Sequence, residues 1–309
     1  MMARRWVLRP LTVFMVLCLT ACGPAHTSQP GSPVIEELSI SSDSARLRAL
    51  LHLPDSRGPH PALVLIHGSG RQTAEESAGD GVRRLLDLGF AVLAYDKRGA
   101  GASTGEYTGI GPLNSVRMFD WLAGDALAVV EALKARQDID PARIGLVGWS
   151  QGGWIAPLAA SRSGSVAFVI SLSAPAVTVG EENAYSRLAG SDPGSRQGLS
   201  EEEIEREFAA FTGPHGYDPD AAIRALRVPS LWVLGERDRS LPVQRTVQNL
   251  DRIKLETGNP ITVHVIPRAD HSLSRSRDRR AGRLLARPAA VARWHRHHRR
   301  SIARASRDS

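Results

Sequence analysis

Gly148-Trp149-Ser150-Gln151-Gly152 sets a serine between two glycines, directly after the apolar run IGLVG of residues 144 to 148. Serine is a weak nucleophile until a neighbouring base takes its proton, and the imidazolium that results needs a carboxylate. Glycine-rich chains produce Gly-x-Ser-x-Gly by chance, so the surroundings decide its weight. Here a buried-strand pattern leads into Ser150 and a helical pattern leaves it. Gly148 and Gly152 let the backbone turn sharply without Cβ clashes. A helix starting just after Ser150 turns its positive dipole end toward developing negative charge.

A base and an acid can be sought by elimination. With the chain order serine, acid, histidine, the histidines downstream of a suitable acid are His264, His271, His295, His297 and His298. His264 sits within an apolar strand pattern, and the last three lie in an Arg-rich stretch with no strand periodicity. His271 follows a strand pattern, which puts it at the carboxyl edge of a sheet with Ser150. Open α/β sheets place their ligands at that edge. Asp238 follows the strand pattern SLWVLGER and reaches the same edge. Its rivals are Glu236, two residues earlier, and Asp270, too close to His271 in sequence to orient it easily.

Acyl chemistry also needs preorganised N–H donors for an oxyanion. One is expected from the residue after the nucleophile, Gln151. The other is expected from the loop after PALVLI, which reads His67-Gly68-Ser69-Gly70. The Ser69 amide is favoured there, with Gly70 as the alternative.

The elements that must position these residues alternate along the chain. Strands are expected at 34–40, 45–53, 61–68, 90–96, 144–148, 166–173, 229–238 and 261–271. Helices are expected from about Thr73 to Leu88, over Val116 to Lys134, after Ser150 and from about Pro242. DIDPAR reads as a turn before IGLVG. Strand alternating with helix implies right-handed crossovers and a mainly parallel central sheet flanked by helices, an α/β fold. Residues 176–226 break the rhythm and read as a small helical cap insertion. Within it Ser200 to Glu203 form a capping box, Leu199 and Ile204 a hydrophobic staple, and Ile204, Phe208 and Phe211 an apolar stripe.

Charge is unevenly spread over the 309 residues. Three arginines lie in the first 21 residues, and twelve lie beyond residue 271 with two aspartates. Between residues 22 and 271 stand 24 basic and 30 acidic residues, so the formal net charge of +7 comes from the ends. No nucleic-acid surface is expected. Residues 1–21 carry a basic start and the short apolar run LTVFMVLCLTA, as an export signal does, too short to span a bilayer. Leu19-Thr20-Ala21-Cys22 resembles the bacterial lipobox, which implies lipidation of Cys22, export and a membrane anchor. Gly23 after it implies the outer membrane in a Gram-negative host. Residues 22–33 read as a tether. With Cys22 alone in the mature chain, no internal disulfide and no cysteine zinc site are expected.

The motifs HGSG (67–70), YDKRGAGAST (95–104), GWSQGGWIAPLAA (148–160) and GERD (235–238) together resemble the α/β-hydrolase superfamily. The likeness is to bacterial exported esterases and dipeptidyl-aminopeptidase-like hydrolases, and it covers about residues 34 to 271. It implies an α/β-hydrolase fold, no metal and no organic cofactor, and structural rather than catalytic places for Asp96 and Arg98. The chain departs from the family after His271. An amphipathic helix is usual there, and residues 272–309 instead read as an Arg-rich, poorly ordered tail. Such a tail fits contact with anionic lipid or cell wall. The HRHH at 295–298 lacks the carboxylates of a metal site.

The expected function is hydrolysis of a small-molecule carboxylic ester through an acyl-enzyme on Ser150, with Asp238 and His271 in support. Peptidase and thioesterase activity are the alternatives within the fold. Residues 34 to 60 are too few for a β-propeller, which weighs against a prolyl-oligopeptidase-like enzyme. The alternative of another class is a non-catalytic envelope lipoprotein that uses the fold as a binding scaffold. Oligomeric state has no signature in the sequence.

Overall fold

The computed structural model describes residues 34–78, 81–191, 195 and 198–274. The export signal, Cys22, the tether and the HRHH stretch lie outside the described residues, as does the tail from residue 275.

The chain enters through an antiparallel hairpin, β1 (Val34–Ser42) and β2 (Ala45–Leu53), turned at Asp43 with a positive φ of 45°. The strands β3 (His60–Ile66), β4 (Ala91–Tyr95), β5 (Ile139–Trp149), β6 (Phe168–Leu172), β7 (Ser230–Gly235) and β8 (Ile261–Ile266) follow. They join one eight-stranded sheet in the order β1-β2-β4-β3-β5-β6-β7-β8. From β4 to β8 across the sheet every pairing is parallel. This is the expected mainly parallel sheet, and its reversal of order around β3 brings the loops after β3 and β5 side by side.

Helices cover both faces, which is why the central strands read as unbroken apolar runs. Ala62, Val64 and Ile66 of β3 enter one core with Phe119, Leu122 and Val130 of α3 (Ser115–Lys134) and Ile155 of α4 (Gly152–Ser161). Leu63 and Leu65 enter the other with Leu85 and Leu86 of α2 (Gly81–Asp87), after the short α1 (Ala74–Ala78). The single helix expected over 73–88 is thus two. Residues 79 and 80 between them lie outside the described residues.

β5 also begins earlier than expected. All of DIDPAR but Asp138 is part of the strand, whose register jumps from His60 opposite Ile139 to Ala62 opposite Ile144. The extra residues bulge around Pro141, which has no N–H to give to the ladder, and Arg143 pairs with Asp140 across the bulge.

The loop after β4 carries two buried charges that hold the scaffold. Asp96 accepts the Ala74 N–H at the start of α1 and the Ala102 N–H, each at 2.8 Å. Arg98 grips Asp125 of α3 with two bonds of 2.7 Å, both side chains being almost fully buried. Removing one member of such a pair strands the other charge in the core. Asp125→Ala is therefore expected to destabilise the fold by about 3–5 kcal/mol. Urea unfolding should show a lower midpoint with an unchanged slope.

Residues 176–226 form α5 (Val179–Ala189), α6 (Glu201–Ala209) and α7 (Asp220–Ala225). Both α5 and α6 start with full capping boxes, on Thr178 with Glu181 and on Ser200 with Glu203. Tyr185, Ala189, Ile204 and Phe208 form a small core of their own, with Leu199 packed against it. Phe211 lies beyond α6, and its ring meets His215. By contrast α7 packs on α4 and on α8 (Val243–Thr257), with Ile223 among Trp232, Leu250 and Ile253.

Candidate active site

Ser150 stands on the turn between β5 and α4 at φ 51°, a left-handed conformation that a residue with a Cβ rarely adopts. The turn is tight. A Cβ on Gly148 would run into the Gly152 carbonyl, and one on Gly152 into the Ile66 carbonyl. The Ser150 N–H is anchored on Leu172 of β6 at 2.9 Å, and the Ser150 carbonyl accepts the Gly153 N–H at 2.8 Å. These restraints hold the strain in place and hold up the Ser150 side chain at the carboxyl edge of the sheet.

Asp238 and His271 come to this edge from turns. Asp238 lies three residues beyond β7 and His271 five beyond β8, where the sequence pattern had run each strand through to them. His271 Nδ1 is 2.7 Å from Asp238 Oδ2, and His271 Nε2 is 3.1 Å from Ser150 Oγ. The carboxylate can only accept, so Nδ1 carries the proton and Nε2 is left to accept from the serine hydroxyl. Asp238 is buried, and its other oxygen accepts the Ser240 N–H at 2.8 Å. The Trp149 ring meets the imidazole edge-on with centroids 6.5 Å apart.

The two rival carboxylates hold the histidine loop instead. Glu236 accepts the Arg268 N–H at 2.7 Å. Asp270 accepts the N–H groups of Ser272 and Ser274 and the Ser272 hydroxyl. Burial raises the Asp270 pKa, but these bonds outweigh burial and hold the carboxyl below its ordinary range. Ser173, itself at a positive φ of 44°, donates to the His271 carbonyl at 2.6 Å. Leu273 then plugs into the core beneath α2. Ser173 was missed in the sequence, where it reads as the last residue of an ordinary strand.

The HGSG loop lies against the serine turn, where a Cβ on Gly68 would sit 3.6 Å from Ser150 Cβ. Among the described residues the N–H groups of Ser69 and Gln151 have no hydrogen-bond acceptor. The Gly70 N–H, the alternative donor, is already bonded to Tyr107 Oη at 3.2 Å. His67 is buried under the loop. Burial, and then the charge on Lys97, pushes this imidazole down to about 3, so it stays neutral and donates from Nε2 to the Tyr95 carbonyl. Lys97 is buried beside it, with its ammonium on the Gly68 and Gly70 carbonyls.

The insertion is joined to the acid. Arg239, next to Asp238, donates to the Ala189 carbonyl at the end of α5 and pairs with Glu201 at the start of α6. Trp154 of α4 donates to the Val177 carbonyl just ahead of α5 at 2.9 Å. Among the described residues no cluster of three metal-ligating side chains occurs, and no helix is long and apolar enough to cross a membrane.

The chain is similar to known proteins that include dipeptidyl-aminopeptidases and an esterase. Probable dipeptidyl-aminopeptidase B of Colletotrichum graminicola is 26% identical over 256 residues, 78% of this chain and 25% of that one. Esterase EstD of Thermotoga maritima is 28% identical over 209 residues, 60% of this chain and 48% of that one. The chain therefore spans a quarter to a half of these relatives' lengths. Among solved structures, an esterase of Pyrococcus furiosus superposes with a TM-score of 0.60 at 19% identity, over 86% of this chain and 93% of its own. Dipeptidyl peptidase 4 of Porphyromonas gingivalis gives 0.59 at 21% identity, over 78% and 33%. The fold is that of the α/β-hydrolases. The family model that matches, over residues 80–290, is that of the prolyl oligopeptidases. The match shows the family and leaves open the choice between ester and peptide on which the stretch 34–60 was weighed. The chain belongs to the prolyl oligopeptidase family.

Proposed function

We propose that the protein is an exported serine hydrolase that cleaves carboxylic esters through an acyl-enzyme. The observation that carries this reading is the continuous line Asp238–His271–Ser150, with both contacts at hydrogen-bond length. His271 Nε2 takes the Ser150 proton as Oγ attacks the substrate carbonyl, and Asp238 holds the imidazolium. The tetrahedral oxygen is received by the Ser69 and Gln151 N–H groups, and the start of α4 adds its dipole. His271 returns the proton to the leaving alcohol. It then activates a water that releases the acid.

Ester cleavage is supported by the relative named an esterase. The family and the relatives named dipeptidyl-aminopeptidases favour an aminopeptidase of the same mechanism as the second reading. The proposal includes a lipid anchor at Cys22 that holds the domain on the cell envelope through residues 22–33.

A fluorophosphonate probe on the purified mature protein tests the nucleophile, with Ser150→Ala as control. Labelling confined to the serine protein supports the reading; a folded protein that takes no label is a scaffold and not an enzyme. A panel of p-nitrophenyl esters from acetate to palmitate, run beside dipeptidyl p-nitroanilides, separates the two substrate classes. Faster turnover of the anilides would replace the ester reading by the peptidase one.

A further inference from the structure

The chemistry above leaves Lys97 without a part. Its side chain has no exposed surface, and it has no ion pair among the described residues. Its ammonium donates to the Gly68 carbonyl at 2.5 Å, the Gly70 carbonyl at 2.8 Å and Gln151 Oε1 at 3.2 Å. It also lies 4.6 Å from the centre of the Tyr107 ring. Every one of these partners is neutral. Burial without an anion pushes Lys97 down to about 7. A cation buried in this way is unfavourable for folding, and an apolar side chain would fill the same space at less expense.

The peptide bond links this cation to the oxyanion. The Gly68 carbonyl and the Ser69 N–H belong to one planar trans unit, so they point in opposite directions. Holding the carbonyl on Lys97 fixes the N–H facing the other way. A positive charge on the carbonyl oxygen also polarises the amide and strengthens its N–H as a donor. The third bond of the ammonium holds the side chain of Gln151, whose backbone N–H is the other donor. Tyr107 completes the arrangement by binding the Gly70 N–H.

We propose that Lys97 is the positioning residue of the oxyanion hole, orienting and polarising the Ser69 amide through the Gly68 carbonyl while it fixes Gln151. The anion that this buried charge lacks in the resting protein arrives with the tetrahedral intermediate. The inference rests on the acyl-enzyme reading above.

The test compares wild type, Lys97→Met and Lys97→Gln on a p-nitrophenyl ester, with a trifluoromethyl ketone of the same acyl chain as tetrahedral mimic. Lys97→Met is expected to lower kcat by about 10²-fold or more, as loss of an oxyanion donor does, with KM within about threefold. Ki for the ketone should rise by a similar factor, because the ketone binds as the oxyanion. Lys97→Gln keeps N–H donors without the charge and should fall between. Full kcat in folded Lys97→Met overturns the proposal, and so does a raised KM at full kcat. Should Lys97→Met fail to fold, Lys97→Gln carries the measurement; if neither folds, Lys97 is a scaffold residue and the proposal is wrong. If the esters are not turned over, the rate of Ser150 phosphonylation by the fluorophosphonate replaces kcat. The two readings fail separately. Hydrolysis that survives Ser150→Ala removes the acyl-enzyme, whereas Ser150-dependent hydrolysis at full kcat in Lys97→Met removes only the role of the lysine.

Discussion

Ser150→Ala is expected to lower kcat for the preferred substrate by about 10⁵- to 10⁶-fold. The variant loses Oγ, the atom placed to attack a carbonyl next to the His271 base at 3.1 Å. It keeps Cβ, so the positive φ of the turn and the Leu172 and Gly153 backbone bonds are unchanged. Thermal unfolding should therefore stay close to that of wild type, which separates loss of chemistry from loss of fold. Residual hydrolysis of about 10³- to 10⁴-fold over water is expected to persist from binding and from the two N–H donors. A variant with a tenth or more of wild-type kcat and no contaminating hydrolase would rule out Ser150 as nucleophile.

Asp238→Asn should cost about 10⁴-fold in kcat, although it changes a single atom. The Ser240 N–H decides the outcome. It needs an acceptor 2.8 Å away at one end of the side chain, so the asparagine oxygen goes there and its NH₂ group faces His271. An NH₂ donor forces Nδ1 to accept, which moves the imidazole proton to Nε2. That nitrogen then points a proton at Ser150 and can no longer take one. The variant should fold normally, label slowly with fluorophosphonate and show almost unchanged KM. A loss of less than about tenfold would mean that Asp238 does not set the tautomer.

Much of this was legible in the sequence, because the same physics acts locally. Double-faced burial makes PALVLI and IGLVG apolar throughout, and a helix start needs the oxygen that Ser200 supplies. Ser150, Asp238 and His271 could be singled out because strand ends on one sheet edge converge in space. What local pattern cannot show is the path of a turn. Periodicity ran β7 through to Asp238 and β8 through to His271, where the chain leaves the ladder three and five residues earlier. Glu236 and Asp270 looked like rival acids, since a carboxylate that binds backbone N–H groups has the same letter as one that binds an imidazole. Lys97 was passed over for a similar reason. A lysine among charged neighbours reads as solvated, and only the crossing of the loops after β3 and β4 buries it. Substrate class has no such local mark, for the chain resembles both dipeptidyl-aminopeptidases and an esterase.

The left-handed turn at Ser150 sets two selective pressures against each other. A side chain in that conformation is unfavourable by about 1–2 kcal/mol relative to a glycine, which adopts it freely. Heat resistance alone would thus be improved by erasing the nucleophile. Directed evolution scored only on survival at high temperature should drift toward glycine at this position, while a screen for turnover keeps serine there. Where the two scores part company along the chain is a map of the residues held by function rather than by folding.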